Sequence, residues 1–405
     1  MAETRRWLEG VRVLDFTQYL AGPSCTRLLA ELGADIIKVE QPPHGDPNRG
    51  GRPRINRRSG SHIQQNRGKK SLCVDIRRPE GADLVRDLVP HVDVVVENFS
   101  PGVMHRRGLG YDRLQQLNPS LIMASVSGFG QTGPLSDRTC FDFIAQAYAG
   151  MMHMTGDPDG PPMFVGVGVG DTNAGVHAFA ALGHALFHRE RSGEGTHLDI
   201  SMVDALFHMH ETAVHAVSMT DGEYVPERQG RHYQPLSPAG TFKGPEGWIV
   251  MLCTQNQMPY LWEAIERPDL ADDPRFRGNP DRLEHREELT TIIEEWMAGF
   301  DTDEEVLARF EAARVPCGPV LSPADAMTHP HFVEREMVRE IDDPLVGKVM
   351  LPGFPIKSSA PLPDVDLTAS ALGEHNQEIL AGILGLDQRR IDELIADEIL
   401  YSKDR

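Results

Sequence analysis

Short apolar runs alternate with amphipathic segments through the first half of the chain. The helical segments begin at or just after Pro23, Pro79, Pro101 and Tyr111. Buried strands are predicted at 11–16, 34–40, 71–76, 92–99, 121–129 and 196–202. Such alternation indicates βαβ units and a mostly parallel sheet. Because ligands of these sheets bind at the carboxyl ends of the strands, the loops that follow the strands are the expected location of a site.

The pattern changes after residue 220. Before it, long helices are predicted at 171–191 and 203–220. After it come a polar linker, a hairpin that turns at "GPEG", three helical segments rich in Glu and Arg, and a return linker, "VPCGPVLSP" (315–323). We therefore predict the first part of a large domain at 1–224, a small domain at 225–322, and a C-terminal segment at 323–405 that returns to the large domain.

The composition is that of an ordinary folded protein. Of 405 residues, 40% are hydrophobic, which is enough to bury a substantial core. The net charge of −20 disfavours nucleic acid as a partner, because phosphate backbones favour basic surfaces. No apolar run approaches the ~20 residues that span a bilayer, and the N-terminus lacks the apolar core of a signal peptide. We therefore expect a cytoplasmic protein with neither a membrane nor a nucleic-acid partner.

Neither the cysteines nor the histidines indicate a metal site. The five cysteines are scattered and form no CxxC pair, so reduced thiols are expected. In "HETAVH", His210 and His215 are five residues apart, whereas the zinc-binding helix of that type needs a spacing of four. His184 and His188 have that spacing but no obvious third ligand. The first strand is followed by no GxGxxG, which also argues against NAD.

The stretch "GVGVGDTNAG" (166–175) places Asp171 where a helix is predicted to begin. Asp is among the best N-cap residues, so its carboxylate is suited to accept a backbone N–H, for about 1 kcal/mol. The helix dipole would also keep a carboxylate ionised there, and so available as a nucleophile. Gly166, Gly168 and Gly170 remove side chains beside it and leave room for another molecule. The residues alone leave both interpretations open.

Polar and basic residues surround two of the predicted strands. "VENFSPGVMHRRG" (96–108) has Asn98 at a strand end, with Arg106 and Arg107 in the helical segment that follows. "NRGKKSLCVDIRRPEG" (66–81) sets several cations around another strand. These residues are either turns and solvated faces, or a strand-end site for an adenine and its phosphates, since guanidinium groups bind phosphate oxygens in pairs.

Taken together, these segments resemble the class III CoA-transferases, the family of formyl-CoA transferase and carnitine CoA-transferase. The matching stretches run in family order from residue 10 to about 376: "GVRVLDFTQYLAGPSCTRLLAELGADIIKVE", "NRGKKSLCVDIRRPEG", "VENFSPGVMHRRGL", "NPSLIMASVSGFGQTGP", "GVGVGDTNAG", "RSGEGTHLDISMVDA", "VPCGPV" and "LGEHN". The resemblance implies an α/β fold, in which a large Rossmann-like parallel-sheet domain is built from both chain ends and a smaller α+β domain lies between. It also implies an interlocked homodimer.

The resemblance further implies that Asp171 is the nucleophile and that an acyl-CoA and a carboxylic acid are the substrates, with no permanently bound cofactor. Asp171 would form a mixed anhydride with the donor acyl group and then an aspartyl-CoA thioester, and the acceptor acid would reverse both steps. The positions that match the family's contacts with coenzyme A are Ala21, Val74, Arg77, Asn98, Phe99, Arg106 and Asp142.

Three features depart from formyl-CoA transferase. Leu20 stands where that enzyme has a glutamine used in catalysis, and Gln41 stands where it has an arginine at the nucleotide. The tetraglycine loop of that enzyme is absent between Gly240 and Trp248. These departures disfavour oxalate as the acceptor.

Two other functions are alternatives. α-Methylacyl-CoA racemase, of the same superfamily, moves a proton with a His–Asp pair, but Phe141 occupies the histidine position here and cannot act as a base. A non-catalytic acyl-CoA-binding protein would need no nucleophile, and the retained Asp171 in its glycine setting argues against it.

Overall fold

A computed structural model describes residues 6–360 and 365–402 of the chain. These residues form two compact units, the first built from both ends of the chain and the second from the part between. As far as they are described, the first comprises Met1–Met151, Val165–Val214 and His331–Arg405, and the second comprises Met152–Phe164 and His215–Pro330. The small domain predicted at 225–322 falls within the second unit.

The strands form one large sheet and three small ones. In chain order, the strands of the described residues are β1 (Arg12–Asp15), β2 (Asp35–Glu40), β3 (Arg54–Ile55), β4 (Arg58–Ser59), β5 (Lys69–Cys73), β6 (Val94–Glu97), β7 (Ile122–Ser127), β8 (Thr196–Ser201), β9 (Ala239–Lys243), β10 (Trp248–Leu252), β11 (Cys317–Pro319), β12 (Val338–Asp343) and β13 (Gly347–Pro352). The large sheet has the order β5-β2-β1-β6-β7-β8, and every neighbouring pair in it is parallel. The small sheets are antiparallel.

Helices connect the strands of the large sheet and predominate in the second unit. The α-helices of the described residues are α1 (Ala21–Glu31), α2 (Gly60–Asn66), α3 (Pro79–Leu88), α4 (Val103–Arg106), α5 (Tyr111–Leu114), α6 (Asp142–Tyr148), α7 (Met151–Met154), α8 (Val169–Ser192), α9 (Met202–Phe207), α10 (Ala213–Met219), α11 (Met258–Ala264), α12 (Asn279–Glu284), α13 (Arg286–Met297), α14 (Asp303–Ala312), α15 (Pro323–Thr328), α16 (Pro330–Glu334), α17 (Asn376–Leu384) and α18 (Gln388–Ala396). Among the described residues, none of these helices combines the length and the apolar composition that crossing a bilayer requires.

The large sheet has the strand order of a Rossmann-type fold. Counted along the chain, its six strands are arranged 3-2-1-4-5-6. The order reverses between β1 and β6, so the loops that follow these two strands open a crevice at the carboxyl edge of the sheet. The predicted α/β class and parallel sheet are confirmed, and the Rossmann-like order arises without the glycine fingerprint of dinucleotide-binding proteins.

Alternate residues of each central strand enter separate cores on the two faces of the large sheet. Val13 and Ile36 point to a core shared with α1 and α8, whereas Leu14 and Ile37 point to a core shared with α3, α17 and α18. This alternation follows from the two-residue repeat of a strand, and it explains why apolar residues occupy both faces of the central strands. Because α17 and α18 cover the second face, the C-terminal segment completes the first unit.

The second unit has its own core between the β9–β10–β11 sheet and the helices that follow β10. Phe242 and Ile249 of the sheet pack with Leu261, Ile293 and Phe310 of α11, α13 and α14. The predicted hairpin at "GPEG" is confirmed. The prediction that 315–323 is only a linker is wrong, because β11 lies within it and adds a third strand to the hairpin.

The helix predicted at 203–220 is interrupted. It begins as α9, ends after Phe207 and resumes as α10 at Ala213. In the break, the ring of His210 bonds to the Ala149 carbonyl, with Nε2 2.6 Å from the oxygen. The intervening residues contain neither glycine nor proline, so the interruption is marked by tertiary contacts and not by the local sequence.

One side chain ties the C-terminal segment to the large sheet, and its removal should destabilise the first unit. Asn376 is buried, accepts the Cys73 N–H at 2.8 Å and donates to the Tyr401 carbonyl at 2.9 Å. We expect Asn376→Ala to lower the free energy of unfolding by about 2 kcal/mol, because it strands a buried N–H. Urea denaturation measures the difference. The exposed neighbour Gln377→Ala is the control, and equal stability of the two variants would contradict the expectation.

Candidate functional site

The turn between β1 and α1 lies at the point where the strand order of the large sheet reverses. Asn98, which follows β6, holds this turn: its Oδ1 accepts the Gln18 N–H at 2.7 Å, and its Nδ2 donates to the Gln18 carbonyl at 2.8 Å. Tyr19 has a φ of 61°, which is uncommon for a residue other than glycine. Its N–H donates to Asp46 Oδ1 at 3.1 Å. Side chains from two other loops therefore fix the conformation of the turn.

A cluster of buried charges supports the same turn. Lys69 Nζ lies 2.9 Å from Asp15 Oδ2, and Asp15 Oδ1 accepts the Thr17 N–H at 2.8 Å. Lys38 Nζ donates to the Thr17 carbonyl at 2.6 Å and lies 3.0 Å from Asp46 Oδ2. Burial opposes ionisation of Asp15, but Lys69 and Lys38 hold the pKa of Asp15 below its usual range. The cluster thus fixes the main chain at the end of β1 with paired charges.

Helix α8 begins without a capping side chain of its own. Gly168 occupies the N-cap position, so the first N–H groups of the helix need an acceptor from elsewhere. Asp142, the first residue of α6, supplies it: its Oδ1 accepts the Gly170 N–H at 2.6 Å and the Asp171 N–H at 3.2 Å. Its Oδ2 accepts from Gln146 Nε2 at 2.6 Å. The interpretation of Asp171 as the N-cap is therefore wrong, because Asp142 performs that function.

Asp171 is the third residue of α8 and is half-buried. Within residues 6–360 and 365–402, its carboxylate has neither a hydrogen-bond partner nor an ion-pair partner. Burial, together with the neighbouring carboxylate of Asp142, raises the pKa of Asp171 to about 6. The group is therefore mostly ionised at neutral pH and becomes protonated below about pH 6. An ionised carboxylate without a protein partner is available to a ligand.

Two of the glycines before Asp171 permit close approaches of different kinds. A Cβ atom added at Gly170 would lie 3.0 Å from Asp142 Oδ1, so glycine there permits the close packing of α8 against α6. A Cβ atom added at Gly168 would lie 2.7 Å from Leu20 Cδ2 and 3.7 Å from Asp171 Oδ2. The proposed clearance beside the carboxylate therefore applies to Gly168. The same contact places the start of α1 next to Asp171.

Four of the predicted CoA contacts lie along the loops at the carboxyl edge of the sheet. Ala21 opens α1, and among the described residues its backbone N–H and that of Gly22 have no partner. Phe99 directly follows Asn98 and is half-buried. Arg106 is exposed at the end of α4 and has no ionic partner in the described part of the chain. That Ala21, Asn98, Phe99 and Arg106 contact coenzyme A stays a prediction.

The other three predicted CoA contacts are engaged within the protein. Val74 is fully buried, and its N–H and carbonyl both bond to the main chain. Arg77 forms a two-pronged ion pair with Asp75, at 2.8 and 2.7 Å, and Gln41 Nε2 donates to the same carboxylate at 2.7 Å. The carboxylate of Asp142 serves α8. The structure thus does not bring Val74 to the surface, and it commits the side chains of Arg77 and Asp142 to protein partners.

Two features of buried carboxylates are not predicted from the sequence: the capping of α8 by Asp142 and the raised pKa of Glu97. Asp142 lies 28 and 29 positions before the two N–H groups that it accepts, so no local pattern connects them. Glu97 ends β6, and burial raises its pKa to about 7. A single Glu at a strand end carries no signal that would distinguish it from others. Both features appear only in the folded chain.

His184 and His188, the histidine pair with the spacing of a metal site, bond within their own helix α8. His184 Nδ1 lies 2.7 Å from the Ala180 carbonyl, and His188 Nε2 lies 3.3 Å from Ser192 Oγ. Within residues 6–360 and 365–402, no group of three or more His, Cys, Asp or Glu side chains is placed to hold a metal ion.

Comparison of the sequence with known proteins gives matches over nearly the whole chain. A family model described as CoA-transferase family III matches residues 8–376. The succinyl-CoA–D-citramalate CoA-transferase of Chloroflexus aurantiacus is 38% identical over 400 residues, which cover 98% of each chain. The succinyl-CoA:mesaconate CoA-transferase of Haloarcula hispanica is 40% identical over 95% of this chain and 98% of its own. The formyl-CoA:oxalate CoA-transferase of Streptomyces avermitilis is 35% identical over 97% and 99%.

The fold matches solved structures over the same extent. A CAIB/BAIF family protein from Brucella suis superposes with a TM-score of 0.82 at 33% identity, over 93% of this chain and 99% of the other. A Mycobacterium tuberculosis protein superposes with a TM-score of 0.81 at 29% identity, over 92% and 99%. Both the large and the small units are therefore included in the match.

The charge of Asp142 should be measurable in the titration of Asp171. We expect Asp142→Asn to lower the pKa of Asp171 from about 6, because a neighbouring negative charge favours the protonated form and the variant removes it. In this variant, the side-chain amide oxygen at position 142 can still accept the N–H groups at the start of α8. Carbon-13 NMR of labelled Asp carboxyl groups gives the pKa. The exposed Asp272→Asn makes the same charge change as a control, and an Asp171 pKa that rises or stays constant in Asp142→Asn would contradict the assignment.

Proposed function

Because the chain belongs to CoA-transferase family III, it is an enzyme that transfers CoA between an acyl-CoA and a carboxylic acid, and we propose that Asp171 is its nucleophile. The observation that carries this proposal is the carboxylate of Asp171, which has no partner in the described part of the chain although it lies at a helix terminus. Asp142 accepts the N–H groups there, so Asp171 is free to react.

In the first half of the reaction, the donor acyl group passes to Asp171. A carboxylate oxygen attacks the thioester carbonyl, the C–S bond breaks, and CoA leaves as the thiolate with the electron pair. The product is a mixed anhydride between Asp171 and the donor acid. The thiolate then attacks Cγ of Asp171, the bond from Cγ to the bridging oxygen breaks, and the donor acid leaves as its carboxylate. An aspartyl-CoA thioester results.

The second half reverses these steps with the acceptor acid. Its carboxylate attacks Cγ of Asp171 and expels the CoA thiolate, which forms a new mixed anhydride. The thiolate then attacks the acceptor's acyl carbon and releases the Asp171 carboxylate. Every step exchanges one acyl bond for another, so no ATP or water is consumed and the thioester is conserved.

The pKa of Asp171 suits this role at neutral pH. A nucleophile must be ionised, and a carboxylate with a pKa of about 6 is mostly so at pH 7. Its raised pKa also makes it a stronger base than an exposed carboxylate. The partial burial that raises the pKa would keep water from the anhydride, which hydrolysis would otherwise destroy.

The start of α1 offers donors for the developing oxyanions. The backbone N–H groups of Ala21 and Gly22 have no partner among the described residues, and Leu20, directly before them, touches the turn that carries Asp171. N–H groups fixed at a helix terminus stabilise negative charge. We propose that one of them contacts the thioester oxygen as the tetrahedral centre forms.

Coenzyme A is proposed to lie along the carboxyl edge of the sheet, at the reversal between β1 and β6. The exposed Arg106 has no carboxylate partner in the described residues, so it is suited to a phosphate. Asn98 and Phe99 form the neighbouring strand end. Arg77 would share its guanidinium between Asp75 and the nucleotide, and Ala21 would contribute its main chain.

The relatives favour dicarboxylic substrates. The relatives from Chloroflexus aurantiacus and Haloarcula hispanica are named for succinyl-CoA as the donor and for a dicarboxylic acceptor. We propose succinyl-CoA as a donor for this enzyme and a second dicarboxylic acid as the acceptor.

The interlocked homodimer and the cytoplasmic location are also proposals. Exposed apolar side chains on and beside α6 and α8 support the dimer, among them Phe141, Ile144, Val176 and Phe187. Large exposed apolar side chains concentrated on neighbouring helices are typical of an interaction surface.

Racemisation is not favoured. Phe141 is 60% exposed at the position where a racemase has its histidine, and a phenyl ring cannot accept a proton. Removal of the Asp171 carboxylate distinguishes a transferase from a non-catalytic binding protein, because a binding protein would still bind acyl-CoA without it.

Replacement of Asp171 should abolish exchange without loss of fold. We expect Asp171→Asn to lower the rate of CoA exchange between succinyl-CoA and a dicarboxylic acid by about 10³-fold or more, because the amide cannot form the anhydride. New CoA thioesters are scored by mass spectrometry over a panel of donors and acids. Asp204→Asn is the matched control, because Asp204 is likewise the third residue of its helix and is exposed. Equal exchange by wild type and Asp171→Asn would overturn the proposed nucleophile.

A further inference from the structure

A cavity of about 1100 Å³ in the first unit is lined by basic side chains. Its walls come from the loop after β2, from the β3–β4 hairpin and from the start of α2. Five arginines and a buried histidine line it: Arg49, Arg52, Arg54, Arg57, Arg58 and His62. This concentration of cations contrasts with the net charge of −20 of the whole chain.

Three of these arginines have no counter-charge. Arg49 and Arg58 are each paired with a buried carboxylate, at 2.6 and 2.8 Å. Arg52, Arg54 and Arg57 are exposed and, in the part of the chain that the structure describes, have neither an ion pair nor a side-chain hydrogen bond. Unpaired guanidinium groups around one cavity create a positive potential that attracts anions. The ligand that fits this lining is an anion with oxygen acceptors.

His62 presents an unused N–H donor among the residues that line the cavity. Lys69 can only donate, so the Asn66 atom 3.0 Å from its Nζ is the amide oxygen, and the Asn66 amide nitrogen faces His62 Nδ1 at 3.1 Å. Nδ1 is therefore the acceptor, and Nε2 carries the proton. His62 is 1% exposed, and its Nε2 has no partner among the described residues. A buried donor without a partner is costly, and an anion in the cavity would satisfy it.

The turn between β1 and α1 contacts both a residue that lines the cavity and the segment that carries Asp171. Asp46, which lines the cavity, accepts the Tyr19 N–H at 3.1 Å. The next residue, Leu20, is about 3.8 Å further along the main chain. Its side chain meets Gly168 in the turn that presents Asp171. The cavity and Asp171 therefore lie next to Tyr19 and Leu20, respectively, which are consecutive residues of the chain.

We propose that this cavity binds the free carboxylate of a dicarboxylic substrate while the other carboxyl group reacts at Asp171. The inference rests on the proposed function and adds the physical basis of its substrate class. Arg52, Arg54 and Arg57 supply the paired N–H groups that a carboxylate accepts, and His62 Nε2 supplies one more donor. The volume accommodates a four- or five-carbon diacid with bridging waters.

This lining also explains why a monocarboxylic acid would be a poor substrate. A site built to hold a charged group discriminates strongly against an analogue that lacks it, because the cations and the buried N–H are then left unpaired. Selectivity for diacids would thus come from the cavity, whereas the chemistry would come from Asp171.

The test is a calorimetric titration of succinate, monomethyl succinate and inorganic phosphate into the full chain. Three proteins are compared: wild type, the cavity variant Arg52→Gln/Arg54→Gln/Arg57→Gln, and the control variant Arg277→Gln/Arg314→Gln/Arg335→Gln. The control arginines are also exposed and without side-chain partners in the described residues, so both variants change the net charge by the same three units.

We expect the cavity variant to raise the Kd for succinate at least about tenfold and the control variant to leave it within about twofold. Wild type should bind monomethyl succinate at least about tenfold more weakly than succinate. Equal Kd values for succinate in the cavity and control variants would overturn the proposal. So would arginine-dependent binding of phosphate as tight as that of succinate, which would indicate an unselective phosphate site.

Exchange assays separate the failure of this site from the failure of the proposed function. With succinyl-CoA as donor, the cavity variant should lose at least about tenfold in kcat/KM for succinate-like acceptors and retain its kcat/KM for acetate. If wild type exchanges CoA but the cavity variant is unimpaired with diacids, the site is refuted and the function stands. If Asp171→Asn exchanges as fast as wild type while binding of succinate still requires the three arginines, the proposed nucleophile is refuted and the site stands.

Discussion

The carboxylate of Asp142 accepts the free N–H groups at the start of α8, and the chemistry proposed for Asp171 depends on this interaction. A helix that begins at a glycine needs an acceptor, and an aspartate in its first turn would ordinarily provide one. Because Asp142 reaches in from α6, the nearby Asp171 is left with its own carboxylate unused. The same proximity of two negative charges, added to burial, raises the pKa of Asp171.

The arrangement around Asp171 is held by interactions that cross the sheet. Asn98 fixes the turn after β1 from the neighbouring strand, and the buried pairs Asp15–Lys69 and Lys38–Asp46 hold both sides of that turn. Paired charges of this kind add little net stability, because desolvation offsets their attraction, but the loss of one partner is costly. The interactions therefore serve to keep the main chain in one conformation beside the nucleophile.

Much of the fold follows from the sequence, because short apolar runs mark the strands of the large sheet and amphipathic segments separate them. The break between α9 and α10 and the strand β11 were missed, since only tertiary contacts mark them. In the candidate site, Asp171 could be singled out by its glycines. The capping by Asp142 and the cavity of arginines could not, because partners 29 positions apart, or brought together from several loops, leave no periodic signal. The contrast between Val74 and Arg106, one buried and one exposed, likewise appears only when the chain is folded.

Asp171 is proposed to carry the acyl group as a mixed anhydride and then CoA as a thioester. In both intermediates Cγ of Asp171 is an activated acyl carbon, and attack of hydroxylamine on it leaves a stable hydroxamate. The direct measurement is therefore peptide mass spectrometry of the enzyme after turnover of succinyl-CoA with hydroxylamine present. We expect a hydroxamate on Asp171, formed only when the acyl-CoA is present. Turnover that leaves the Asp171 peptide unmodified would contradict it.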